Sequence, residues 1–299
     1  MTRRPFVRRV APSGVLLAGF LFSAATQDDV GIAAQQPPAA PAQAGPAQPA
    51  PGSPRASAPF DPTGYWVAVV TEDWRWRMVT PPKGDYASVP LSPEGRRVAD
   101  MWDLAKDNES GNQCKAFGVG GIMRQPGRLH ITWQDDSTLK VDFDAGTQTR
   151  LLQFDKSKQP PAEKTWQGHS IAEWEIPVAR GRGAGGGGGG GGGGNVAGPR
   201  GRPAPTPRGG SLKVVTTNFR EAYLRKNGVP YSESASITEY FDRLPPHPNG
   251  DVWLMVITTI EDPKYLNQPF YTSTHFKLEP NGSKWSPSPC QTDPPGRTK

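Results

Sequence analysis

Read as extended chain, the stretch from Asp61 to Met78 sends successive side chains to opposite sides, and one side is strongly aromatic. Trp66, Ala68, Val70, Glu72, Trp74, Trp76 and Met78 fall on one side of an extended chain. Val67, Val69, Thr71, Asp73, Arg75 and Arg77 fall on the other. The pattern predicts one long strand whose aromatic face carries a single carboxylate. The same period returns later. Leu129, Ile131 and Trp133 alternate with His130, Thr132 and Gln134. Leu139, Val141 and Phe143 alternate with Lys140 and Asp142, and Gln148, Arg150, Leu152 and Phe154 form the next face. Asp135-Asp136-Ser137 and Asp144-Ala145-Gly146 read as turns between these runs. Further strands are expected over 166–176, 212–219, 237–244, 252–260 and 270–279, with hairpin turns at Asn227-Gly228 and Asn249-Gly250.

One stretch departs from this period. Ser92-Pro93-Glu94 has an N-cap, a proline at the first turn and an acid, the start of a helix. Val98, Met101, Trp102 and Ala105 follow at helical spacing, which predicts one short helix near 92–105 with these four as its apolar stripe. The remainder of 107–128 reads as irregular. About eight to ten strands joined by sequential hairpins predict an all-β fold, an antiparallel up-and-down barrel.

Composition sets the boundaries. Residues 26–58 are mostly Gln, Ala and Pro, and 177–210 holds the run Gly185 to Gly194. Neither buries enough apolar surface to offset its ordering entropy, so both are expected to be disordered. This leaves one barrel domain over 59–293, interrupted by the Gly-rich loop 177–210, and a tail at 294–299. Residues 1–25 read as a signal peptide: Arg3, Arg4, Arg8 and Arg9, then an apolar run from Val15 to Ala25 too short to span a bilayer. Thr2-Arg3-Arg4-Pro5-Phe6-Val7-Arg8 resembles the twin-arginine export signal, with ordinary export as the alternative. The expected location is periplasmic or secreted, with no transmembrane segment.

Charge excludes one class of partner. The net charge is +6, but five Arg stand in 1–58 and five more in 177–210, against two Asp. The folded part is therefore slightly acidic, and no nucleic-acid groove is expected on it. Cys114 and Cys290 are the two cysteines. In an oxidising compartment a bridge between them is expected, with two separate thiols as the alternative.

Gly64-Tyr65-Trp66 at the start of the first strand resembles the Gly-x-Trp that opens lipocalin and other calycin barrels, and Thr238-Glu239-Tyr240 is similar to their second motif. The resemblance implies a ligand-binding barrel with Trp66 at the closed end, and a tail-to-strand disulfide also occurs in that family. The early helix departs from it. The words Glu-Asp-Trp-Arg-Trp-Arg-Met, Leu-Arg-Lys-Asn-Gly-Val-Pro-Tyr and Ser-Thr-His-Phe-Lys resemble a group of exported bacterial proteins of unassigned activity.

Candidate chemistry follows from the inward faces. Arg150, with Gln148 beside it, either offers a guanidinium fork to a carboxylate or phosphate ligand at the mouth, or forms an internal ion pair with Glu72 or Glu239. Trp74 and Trp76 suit stacking on a flat ring or sugar face, or else belong to the core. Tyr223 and Arg225 flank the Asn227-Gly228 turn and are expected to rim the mouth. Four histidines lack metal spacing, so no metal site is expected. No cofactor is expected, with haem through His275 on the last strand as the alternative. Gly168-His169-Ser170 lacks the final glycine and the following helix of a hydrolase nucleophile turn. The expected protein is a non-catalytic monomer that binds a small, partly apolar ligand through Glu72, Trp74, Trp76, Gln148, Arg150, Tyr223, Arg225 and His275. The alternatives are an exported hydrolase acting on a carboxylate or sugar, and an envelope interaction module.

Overall fold

A computed structural model describes residues 48–177 and 209–295. The signal peptide, most of the Pro/Ala-rich linker, nearly all of the Gly-rich loop and the last four residues of the tail lie outside the described residues.

Nine strands close into a barrel. In chain order they are β1 (Gly64–Val69), β2 (Arg128–Asp135), β3 (Thr138–Phe143), β4 (Gln148–Gln153), β5 (His169–Glu175), β6 (Ser211–Thr217), β7 (Ser236–Arg243), β8 (Trp253–Glu261) and β9 (Phe270–Glu279). Each strand pairs with its neighbour in sequence, and β9 returns to pair with β1. The up-and-down barrel read from the alternation is present, and the strand count falls within the expected range.

One junction is unlike the rest. An odd number of strands cannot alternate all the way around a closed ring, so one neighbouring pair must run parallel. That pair is β4 and β5, which match at only two positions, Leu152 with Ser170 and Gln153 with Ile171. The connection 154–168 carries the chain back along the barrel to make the parallel start. A groove of about 450 Å³ opens there, lined by Thr149, Gln153, Lys158, Gln167 and His169 among others.

The inward faces of the strands are mostly apolar, and the interior is filled. Trp66, Leu129, Ile131, Leu139, Val141, Phe143, Leu152, Leu212, Val214, Phe241, Leu254, Val256 and Phe276 form one continuous core. Trp66 is fully buried, and its indole Nε1 donates to the Pro62 carbonyl at 2.9 Å. Phe60, Trp133, Phe154 and Trp174 finish that end, with neighbouring rings 5.4–5.7 Å apart. Residues 50–58, expected to be linker, lie against the same end. The Arg55 amide donates to the Asp136 carbonyl, and Trp174 Nε1 donates to the Pro54 carbonyl.

Arg150 lies in this interior and does not stand at a mouth. Its two terminal nitrogens donate to the two carboxylate oxygens of Glu239 on β7, and one of them also reaches Thr216 Oγ1 on β6 at 3.2 Å and Ser170 Oγ on β5 at 3.4 Å. The Arg150 and Glu239 side chains are 1% and 0% exposed. Of the two readings of Arg150, the internal ion pair with Glu239 is the one that forms. Ser170 is correspondingly a buried strut, hydrogen-bonded to Thr216 at 2.8 Å.

The opposite end is capped. The β1–β2 connection contains α1 (Trp74–Arg77), α2 (Pro93–Asp100), α3 (Leu104–Glu109) and α4 (Val119–Ile122). The β6–β7 connection contains a hairpin of Ala222–Arg225 with Val229–Tyr231, built on the expected Asn227-Gly228 turn. A second apolar cluster, including Val119, Phe219, Leu224, Tyr231, Ile237, Ile260 and Phe270, fills the space beneath. The helix start at Ser92 is as read, with Ser92 Oγ accepting from the Gly95 amide at 3.0 Å. The stripe differs. Gly95, Ala99 and Trp102 face inward, while Met101 and Ala105 are exposed. The reason is closeness: a Cβ on Gly95 would meet the Tyr265 carbonyl oxygen at 2.3 Å, so only small residues fit there. Helix α2 also ends at Asp100, and Asp103 caps a separate α3 through its carboxylate.

The buried pair generates a test. Arg150→Met strands a carboxylate in the core and should destabilise by about 3–5 kcal/mol in urea unfolding, whereas the double variant with Glu239→Leu should recover most of that loss.

Candidate functional site

The long strand expected over Asp61–Met78 stops at Val69. Beyond it Asp73 takes a left-handed conformation (φ 53°) and opens a single helical turn, with the Trp76 and Arg77 amides donating to the Asp73 carbonyl. Helical spacing replaces alternation, and this changes every side-chain direction after residue 73. Trp74 and Met78, four apart, both face solvent at 66% and 53% exposure. Arg77, expected on the outer face, turns inward and is 2% exposed.

Arg77 meets Arg124, from just after α4, and Arg225, from the capping hairpin. Arg77 Nε donates to the Arg124 carbonyl at 3.1 Å, and Nη1 donates to Glu72 Oε1 at 2.6 Å. Arg124 donates to the Ser273 carbonyl at 2.9 Å and forms an ion pair with Asp73. Arg225 donates to the Ala87 carbonyl at 2.7 Å. Trp76 lies between two guanidinium groups, Arg75 at 4.6 Å and Arg225 at 4.4 Å from its ring centre, and donates to Asp85 at 3.2 Å. Asn227 ties the cap together by donating to the carbonyls of Pro82 and Asp85.

This is an expensive arrangement of charge. Burial first, then the neighbouring Arg124, pushes the Arg77 guanidinium down to about 10 against the pull of Glu72 and Asp73. Burial likewise takes Arg225 down to about 10. Both stay cationic at neutral pH, held in a setting that disfavours the charged form.

Beside this cluster is a pocket of about 490 Å³. Met78, Val79, Phe117, Pro126, Ala145 and Pro289 supply its apolar walls, and Gln125, Lys226, Ser288, Gln291 and Asp293 its polar ones. The carboxyl-terminal segment forms one wall. Ser288–Pro289 pairs in parallel with Ala145–Gly146, and the Ser288 amide donates to the Asp144 carbonyl at 2.8 Å. Cys114 and Cys290 are bridged, so the expected disulfide is present and pins that wall.

Of the sequence-predicted residues, Glu72, Trp76, Arg225 and His275 gather at the capped end, with Trp74 exposed beside them. His275 projects from the outer face of β9, its Nδ1 3.6 Å from Glu72 Oε2. The next residue, Phe276, points the other way and belongs to the core with Phe241. Tyr223 does not join this group. Its hydroxyl donates to Asp107 at 2.9 Å, and burial, then the Asp107 charge, raises the phenol well above its ordinary value. Gln148 props the disulfide, donating to the Gly146 carbonyl at 2.8 Å and lying 3.4 Å from Cys290 Sγ. Arg150 is committed to Glu239 in the core. The carboxyls of Asp107 and Asp144 are raised by burial, but Asp107 accepts from Tyr223 and Asp144 from the Arg128 amide.

Sequence reasoning missed Arg77, Arg124, Gln125 and Met78. A signal for the first existed. Thr71 is the last β-branched residue before Val79, and Glu72-Asp73 followed by Arg75 and Arg77 places acids at the start and bases at the end of a short helix. Arg124 and Gln125 sit in the stretch read as irregular, and nothing local marks them.

The described residues thus define a closed, mostly antiparallel nine-stranded barrel with a basic, aromatic cap beside an outer pocket. No protein-family model, curated protein or solved structure matches the chain. Among the described residues no helix is long and apolar enough to cross a membrane, and no group of three or more metal-ligating side chains occurs.

The pocket wall depends on the disulfide. Replacing both cysteines, Cys114→Ser with Cys290→Ser, should lower stability by about 2–5 kcal/mol in urea unfolding, and faster hydrogen exchange should concentrate at Ser288 and its neighbours.

Proposed function

We propose that the chain is an exported, non-catalytic barrel that binds a small, partly apolar ligand, and that the ligand sits in the outer pocket at the capped end. One contrast carries the reading. The barrel interior is packed with side chains, whereas the pocket of about 490 Å³ beside Arg77 and Arg225 combines apolar walls with a few polar groups. That volume and lining suit a small-molecule site. Exposed Trp74 and Met78 stand on the same face of the α1 turn, and Met78 also lines the pocket. Export is supported by the leader sequence and by the Cys114–Cys290 bridge, which suits an oxidising compartment.

The lipocalin-like reading belongs here as well. Sequential closure and a buried Trp66 at the start of β1 support it. Nine strands and a filled interior set the chain apart from the eight-stranded, hollow pattern of that family.

A neutral solvatochromic dye should bind the full chain and gain fluorescence. Ala145→Phe fills the pocket, and Met78→Asp places a carboxylate in its wall; each should weaken binding about tenfold, ~1.4 kcal/mol, without moving the unfolding midpoint by more than a few degrees. Equal dye affinity in wild type and both folded variants would place the ligand elsewhere.

A further inference from the structure

The outer pocket and the guanidinium cluster share two residues. A small cavity of about 20 Å³ lies among Trp76, Arg77, Arg124, Leu224, Arg225 and Phe270, and its wall also includes Gln125 and Lys226, which line the larger pocket. The geometry points to an oxyanion subsite here. The ligand would be an amphipathic anion, its carboxylate or phosphoryl head held by Arg77, Arg124 and Arg225 and its apolar body lying in the outer pocket. The placement of the body rests on the function proposed above; the head site stands on its own observations.

Three observations carry it. First, Arg77 Nη2 is buried and has no hydrogen-bond partner, although Nε and Nη1 of the same group are both satisfied. A buried charged donor without an acceptor is costly, and an anionic oxygen in the adjoining cavity is the group that would satisfy it. Second, the charges at the cap do not balance. Arg75 pairs with Asp85, Arg77 with Glu72, and Arg124 with Asp73. Arg225 has a backbone carbonyl and the Trp76 ring, and among the described residues no carboxylate comes within ion-pair distance of it. Third, there is room beside the unsatisfied donor. The cavity of about 20 Å³ exceeds the roughly 10–15 Å³ needed for one water-sized group, so it admits an oxygen of the head and not the body of a ligand. Burial lowers the guanidinium groups of Arg77 and Arg225 to about 10, and a bound anion would offset that cost.

An anionic head could arrive as a free ion or as the end of a longer molecule, and carboxylate and phosphoryl heads share the recognition chemistry. Isothermal titration of the full chain separates these with four probes: decanoate, decyl phosphate, decanol and inorganic phosphate. Decanoate or decyl phosphate should bind at least about tenfold more tightly than decanol, and the better of the two identifies the head. In Arg225→Gln that advantage should shrink to less than about twofold while decanol affinity is unchanged. Arg77→Lys, which keeps the charge but loses the fork, should lose the advantage too if Arg225→Gln does not fold; the wild-type comparison needs neither variant. Equal affinity for decanol and both anions overturns the oxyanion subsite and leaves the pocket reading in place. Binding of inorganic phosphate with none of the ten-carbon probes supports the subsite and removes the pocket reading. No binding by any probe overturns both.

Discussion

The barrel depends on how its one parallel junction is held. Antiparallel neighbours elsewhere share four to eight paired positions, but β4 and β5 share two. The backbone alone therefore closes this seam weakly. Inside it, Arg150 on β4 reaches past the gap to Ser170 on β5, Thr216 on β6 and Glu239 on β7. The fork of the guanidinium fits only when all four strands are in register. A one-residue slip of β4 would turn Arg150 and Leu152 outward and leave Glu239 buried without a partner. An ion pair of this kind contributes less to net stability than to the choice of one arrangement over its neighbours.

That use of Arg150 sets the barrel interior apart from the lipocalin pattern. Lipocalin-type binding needs a hollow barrel with an open mouth. Here the interior holds a structural ion pair among large apolar side chains, and one end is finished by Trp66, Trp133, Phe154 and Trp174. The long β1–β2 connection and the 222–231 hairpin cover the other end. Chemistry is left to the outside of that cap, where basic side chains come from two connections: Arg75 and Arg77 from α1 and Arg124 from just after α4, all between β1 and β2, and Arg225 from the hairpin. None is a neighbour of the others in the barrel itself. Their closeness comes from the packing of the cap on its own apolar cluster, with Trp76 stacked between Arg75 and Arg225.

The architecture was legible from the sequence because period-two alternation and tight-turn residues are local signals. β2, β3 and β4, the Asn227-Gly228 hairpin and the Ser92 cap all fall where those signals place them. The parallel junction was not legible. The connection 154–168 looks like a loop, and only the count of strands around a closed ring requires a crossover. The site was half legible. Glu72, Trp76, Arg225 and His275 do converge, but the reasoning that placed them used an extended chain past Val69. Residues 73–78 alternate in polarity and also satisfy helical spacing, and the left-handed Asp73 decides between the two. Arg124 was out of reach for a different reason. It is 47 residues from Arg77, and their contact is made through the Arg124 carbonyl, an atom every residue carries.

The Cys114–Cys290 bridge has a consequence for covalent integrity. The chain passes from β5 to β6 between Glu175 and Ser211, which places five strands and Cys114 on one side and four strands and Cys290 on the other. A single backbone cut in that interval would leave one covalent molecule, its two fragments still linked through sulfur and still hydrogen-bonded across the β5–β6 and β1–β9 junctions. Such a nicked form would run as one species on a non-reducing gel and as two after reduction. The fold is in this sense a two-piece assembly that happens to be translated as one.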